Sequence, residues 1–407
     1  MKKVLAVLPL LMVTACAVTH HTVTVGELTL PARPRAGKHF KVRYNIDRSI
    51  LASKKDLQIT LYYTINNKVY AVPVISFGKG KRAKARLILP DSAQAFALRA
   101  LKKYYIVDDK NGYFSPVYGP SGKPVAGALA GVSLFYNDMG DNDIGSSLLA
   151  RPADEDKALK WMRAEFKSHP EVKHKWLSTY LNTLLTAEKD SAYREINTSL
   201  EQLLSSDGVQ ADDYATAYHL YLKMNEWDKA ESAMTTGARK FPESSMAMQL
   251  AKSRFYSVHS SADSMIIHYQ QFKRRFRTTD VQSISAGIQD RMLGTIANLY
   301  ADSGDYQKFM DFVSKIKNPL AKENVYNFRA WDLVRTGKNL PFADSISKLS
   351  LELMKQAMSH PQQWKQSYQT NEDCEEEMQQ RYAVYADDYA SLLNKEGKIK
   401  HAVAYQK

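Results

Sequence analysis

Two thiols and ten imidazoles are the side chains here most able to do chemistry. Thiol–disulfide exchange needs an attacking thiolate and usually a second cysteine to resolve the mixed disulfide. Cys374 stands alone in NEDCEEEMQ, among Glu372, Asp373, Glu375, Glu376 and Glu377. Negative charge at that density disfavours the thiolate, so a poor nucleophile is expected. The only other cysteine is Cys16, and no Cys-x-x-Cys pair exists. The histidines assemble no ligand set. His20 and His21 fall in a polar N-terminal segment, His169 and His174 are five apart with Pro170 beside the first, and His259 and His268 lack carboxylates at zinc spacing. Asp138, Asp141 and Asp143 open like a calcium loop, but Gly145 and Pro152 occupy places that need carboxylates. FGKGKRAKA is not followed by the Gly-Lys-Ser or Gly-Lys-Thr of a phosphate loop, and no serine sits in a Gly-x-Ser-x-Gly elbow. The expectation is no cofactor, no metal and no catalytic constellation.

Cys16 is set apart by what precedes it. Lys2 and Lys3 are followed by the apolar run Val4 to Val13 and by the small residues Thr14 and Ala15. A run of about ten apolar residues is too short to cross a hydrocarbon core and reads as an export leader. The tetrapeptide Val13-Thr14-Ala15-Cys16 resembles the lipobox of bacterial lipoproteins. That resemblance implies a signal peptide over residues 1–15, a diacylglycerol thioether on Cys16 and an amide-linked acyl chain after cleavage. Each buried methylene contributes roughly 0.8 kcal/mol, so several chains hold stably where one holds reversibly. Ala17 replaces the aspartate that, in the enterobacterial sorting rule, retains lipoproteins at the inner membrane. The location implied is the cell envelope, at the outer membrane rather than the inner. Residues 16–24 then form the lipidated tether.

A chain of 407 residues exceeds what one core usually serves, and two or three domains are expected. No second stretch is apolar enough to span a membrane. The formal charge is +13, and removal of Lys2 and Lys3 leaves about +11. Basic residues are interspersed with acidic ones, the densest cluster being Lys273, Arg274, Arg275 and Arg277. This dispersal and the implied export argue against nucleic acid as a partner.

Residues 25–125 read as β structure, with extended candidates at 22–30, 38–46, 57–75, 82–89 and 94–107. Asn66-Asn67 interrupts the third and predicts a hairpin. Several antiparallel strands in about a hundred residues fit a small immunoglobulin-like sandwich without the usual disulfide. The Gly- and Pro-rich stretch NGYFSPVYGPSGKPVAG predicts the hinge, and residues 126–407 read as all-helical. All five tryptophans lie between Trp161 and Trp364, where apolar residues recur at helical spacing.

Three segments in that half resemble tetratricopeptide repeats. In DDYATAYHLYLKMNEWDKAESAMTTGARKFP the turn falls at Asn225-Glu226, the wedge aromatic at Trp227 and the small contact residue at Ala230. IANLYADSGDYQKFMDFVSKIKNP places Gly304 and Tyr306 at turn and wedge, with Phe309 where alanine is usual. YADDYASLLNKEGKIKHAVAYQK offers Ala390, Gly397, Ile399 and Ala402 in the same order. A helical array stacked in this way leaves each repeat dependent on its neighbour, so Ile399, Ala402 and Val403 would want a following helix.

Leader, β region, helical array and the segments DKNGYFSPVYGPSGKPVAGALAG and YADDYASLLNKEGKIKHAVAYQ together resemble the non-catalytic part of thioredoxin-like thiol-disulfide oxidoreductase lipoproteins. In that family a C-terminal thioredoxin fold carries the catalytic Cys-x-x-Cys, which this sequence lacks. The expectation is a membrane-anchored scaffold that binds a protein or peptide. The alternative is the non-catalytic portion of such an oxidoreductase.

Overall fold

The computed structural model describes residues 22–46, 57–74, 82–102, 106–107, 113–137, 147–149, 152–259, 261–280 and 282–406. A β region comes first and a run of helices follows. Strands β1 Thr22–Val25, β2 Leu28–Pro31, β3 His39–Asn45 and β6 Arg82–Ile88 form one antiparallel sheet in the order β1-β2-β3-β6. The second sheet has the order β5-β4-β7-β8, from β5 Lys68–Val74, β4 Leu57–Ile65, β7 Ala95–Lys102 and β8 Ile106–Val107, with β9 Tyr113–Pro116 also pairing β7.

The hairpin at Asn66-Asn67 is present: Ile65 pairs Lys68, and Asn66 takes the left-handed φ of 58° that such a turn needs. Two other readings are corrected. The strand expected over 22–30 is two strands, because Gly26 turns at φ 54° and pairs Val25 with Leu28. The single strand expected over 94–107 is β7 and β8, which fold back on each other through Leu101↔Val107. In the stretch read as a hinge, Tyr113–Pro116 pairs with β7 as β9.

The first sheet buries one face. Along β3, Phe40, Val42 and Tyr44 point inward while His39, Lys41 and Arg43 are exposed. They meet Ile59, Leu61, Phe96 and Leu98 of the second sheet in a shared core, the Phe40 and Phe96 ring centroids 5.5 Å apart. The second sheet is buried on both sides. Its other face, with Tyr62, Val69, Ala71, Ala95 and Ala97, packs into the helices. Helix α1 Ala128–Ser133 approaches this face so closely that a Cβ on Gly131 would lie 2.5 Å from the Thr64 hydroxyl oxygen. Its start is held by Glu165 of α2 Glu155–Ser168, a fully buried carboxylate accepting from the backbone N–H of Gly127 (2.8 Å), Leu129 (2.7 Å) and Ala130 (3.3 Å).

Helices α3 Lys173–Glu188, α4 Tyr193–Leu204, α5 Ala211–Lys223 and α6 Trp227–Lys240 continue from there. They are followed by α7 Ser245–Ser257, α8 Ala262–Arg275, α9 Ile284–Asp302 and α10 Tyr306–Ser314. The last four are α11 Pro319–Thr336, α12 Leu340–Met358, α13 Asn371–Lys395 and α14 Ile399–Tyr405. The pairs α5/α6, α7/α8, α9/α10, α11/α12 and α13/α14 pack as hairpins, and the first helix of each lies against the first helix of the next.

Three of the tight turns are built alike. Asn225, Gly304 and Gly397 adopt φ of 61°, 83° and 76°. In each turn the next N–H bonds back 2.8 Å to the carbonyl five residues earlier, on Tyr221, Tyr300 and Leu393. The array also returns to the β region. The segment between α12 and α13 covers edge strand β5, where Ala71 donates its N–H to the Ser367 carbonyl (2.9 Å) and the Ser367 hydroxyl donates to the Val69 carbonyl (2.8 Å). Arg99 on β7 and Asp373 on α13 close the contact at 3.1 Å.

Candidate functional site

A concavity of about 940 Å³ lies along the facing sides of α3 and α5. Why α3 presents a polar wall follows from its sequence. Trp176, Tyr180, Leu181 and Leu184 take the core side, which leaves Ser178, Asn182 and Thr186, one turn apart, on the groove side. Helix α5 repeats the arrangement. Tyr214, Ala217, Leu220 and Tyr221 are buried, and Asp212, Thr216, His219 and Lys223 face α3. Asn67, from the β4–β5 turn, Asn137 and Glu155 complete the lining at the β-region end.

These groups hold one another in place. Lys223 donates to the Asn182 side-chain carbonyl at 2.8 Å across the groove. His174 Nε2 lies 3.3 Å from Asp213 Oδ1, while Asp213 Oδ2 accepts the Gln210 N–H at 2.7 Å and so caps α5. Asn137 is buried and donates to the Thr183 hydroxyl at 2.9 Å, and its own carbonyl oxygen has no hydrogen-bond donor among the described residues. The lining carries both signs of charge, with Lys175 and Lys223 against Glu155, Asp212 and Asp213. Amides, hydroxyls and imidazoles on two walls provide donors and acceptors for a polar ligand.

Of the residues singled out in the sequence, His174 lines the groove, and the other described ones do not converge on it. Cys16, His20 and His21 lie outside the described residues, as do Asp138, Asp141 and Asp143. Trp227 opens α6 and is 63% exposed, so it fills no wedge: the turn at Asn225 leaves the first helical position facing solvent. Tyr306, at the matching place in α10, is half-buried and packs against Phe342, ring centroids 4.5 Å apart. Ala230 and Ala402 are buried, and so is Phe309. Gly304 and Gly397 form the turns already described. On α14, Ile399 and Val403 are exposed. The tyrosines of α5 divide: Tyr214 and Tyr221 are core, and Tyr218 is half-buried.

Cys374 is buried, its Sγ 3.6 Å from the Pro361 carbonyl oxygen. Burial first, and then the charge of Glu377, push its thiol above the ordinary range. Among the described residues no group of three or more His, Cys, Asp or Glu could hold a metal ion, and no helix is long and apolar enough to cross a membrane.

The groove residues carried a signal in the sequence, the four-residue polar spacing of Ser178, Asn182 and Thr186, which matches any solvated helix face. Only the stacking of α5 against α3 turns it into a wall. No protein-family model matches the chain, and no curated protein matches it either.

Proposed function

We propose that this chain is a non-catalytic scaffold of the bacterial envelope, tethered by acyl chains on Cys16, that binds a polypeptide segment in the groove between α3 and α5. In this reading the β region is an immunoglobulin-like sandwich and the helices are a tetratricopeptide-like array. Two sheets around one core and hairpins stacked through their first helices support it.

The observation that carries the binding role is the groove itself. An extended polypeptide offers N–H and C=O groups at about 3.3 Å per residue. The walls oppose to it side chains that both donate and accept, spaced one helical turn apart. A volume of about 940 Å³ lies at the upper end of the 300–1,000 Å³ typical of binding sites. Mixed charge suits a peptide better than a uniformly charged polymer.

Photo-crosslinking in the native envelope tests this. A photoreactive residue replacing Thr216 or Ser178 is expected to give the same polypeptide adduct from both walls, with none from Glu231 on the exposed side of α6. Adducts of equal yield from all three positions, or from Glu231 alone, would reject the groove. The tether has its own readout: metabolic labelling with palmitate is expected for the native chain and absent from Cys16→Ser. An unlabelled native chain would remove the anchor.

A further inference from the structure

We propose that a small basic pocket where α8, α9 and α10 meet binds a phosphate group. Lys273 in the last turn of α8, Thr278 just beyond it, Lys315 at the end of α10 and Lys317 in the following turn surround a cavity of about 40 Å³ on the side of α9. A water-sized group takes roughly 10–15 Å³ by the same measure, so the space suits three oxygens. That is what the exposed end of a phosphate presents.

The charge balance favours an anion. Asp290 is the one carboxylate lining the pocket, and it is 3% exposed with both oxygens engaged: Oδ1 accepts the Lys317 N–H and Oδ2 the Asn318 N–H, each at 3.0 Å. It serves the turn into α11. Two of the lysines, in contrast, rest on rings: the Lys273 ammonium is 6.0 Å from the Tyr269 centroid and that of Lys315 is 4.2 Å from the Phe312 centroid. None of the three ammonium groups is in an ion pair among the described residues.

The bland explanation is that lysines complement the carbonyl ends of α8 and α10. Each such end carries only about half a negative charge, and the nearby start of α9 carries about half a positive one. Three ammonium groups therefore leave the pocket positive even after the one negative charge of Asp290 is counted. Arg275, from the same basic run, is excluded from the site because its guanidinium donates to the Pro242 carbonyl at 2.8 and 3.2 Å.

The phosphate could belong to a free inorganic ion or to an anionic lipid headgroup, and two probes separate these sources. Phosphorus NMR line broadening would be followed on the full chain in non-ionic detergent, with inorganic phosphate in one series and glycerophosphoglycerol in the other. Broadening of either probe is expected, diminished by salt, and the stronger partner names the source. Replacing Lys273, Lys315 and Lys317 together with glutamine is expected to weaken binding by roughly 100-fold. Lys400→Gln, on exposed α14, should leave it unchanged. All three lysines are exposed, and an unaltered melting curve would show the triple variant folded. The proposal is overturned if neither probe binds the native chain at millimolar concentration, or if the folded triple variant binds as the native chain does.

Discussion

Two seams of the helical array, α3 against α5 and α11 against α13, share one packing plan and use it in opposite ways. At α3/α5 the polar side chains stand in an open groove with Lys223 to Asn182 bridging it. At α11/α13 they are spent on each other. Arg381 Nη2 lies 2.8 Å from Glu323 Oε1, Asn327 donates to Asp388 at 3.1 Å, and Lys395 reaches the Val334 carbonyl at 2.6 Å. Glu323 is fully buried, and neither carboxylate oxygen has a donor in hydrogen-bond geometry among the described residues. The difference is one of closure: at α3/α5 two bridges, Lys223 to Asn182 and His174 to Asp213, still leave a concavity between the helices, whereas at α11/α13 the pairs fill the seam. One seam holds the array together, and the other is left available.

The largest effect is expected at the closed seam. Burial pushes the Glu323 carboxyl up to about 7, against the opposing pull of Arg381. Burial wins because Glu323 is fully enclosed, whereas the Arg381 side chain is 34% exposed and shares its charge with water. A carboxyl whose folded value lies above its unfolded value keeps its proton when the unfolded chain has lost it. Its contribution to stability is therefore complete below about pH 4.5 and declines as the pH rises to about 7, by about 3 kcal/mol over the range. Arg381→Ala should cost about 3 kcal/mol at pH 8, where it strands a buried charge, and distinctly less at pH 5, where Glu323 is protonated. Glu323→Gln should flatten the decline between those pH values. Urea titrations at both would show it. An equal cost of Arg381→Ala at pH 5 and pH 8 would mean that Glu323 does not titrate in this range.

What the sequence disclosed depended on whether a residue's role was local. Asn66-Asn67 announced a hairpin because a two-residue turn needs left-handed φ and asparagine tolerates it. Gly26 carried the same information, but β1 and β2 are four residues each and merged into one apparent strand. The alternation in β3 was legible because one face meets water. Burial of Tyr62 and Ala97 on the far side of the second sheet was not, since it depends on helices that follow in the chain. Ala230 is buried and Gly304 and Gly397 turn at left-handed φ, local features that spacing can carry because each belongs to its own hairpin. Trp227 was misplaced because chain direction after the turn, rather than residue type, decides which side of α6 it joins. The groove was hidden for a related reason: Ser178 and His219 belong to different helices, and only their stacking makes them neighbours.

The smallest stability effect is expected in the open groove, and it sharpens the contrast most. Asn182→Ala removes the acceptor of Lys223 and the donor to the Ser178 carbonyl at 2.9 Å. Lys223 is exposed at the groove edge, and the Ser178 carbonyl also belongs to the α3 backbone ladder, so water and the helix replace most of what is lost. The stability change should stay within about 0.5 kcal/mol, the range of ordinary surface substitutions. Adduct formation from a photoreactive residue at Thr216 should nevertheless fall in the same variant, because the missing amide is one of the groups offered to a bound segment. If Asn182→Ala instead destabilises the chain as much as Arg381→Ala does at pH 8, the α3/α5 contacts are structural and the groove is a second fastened seam.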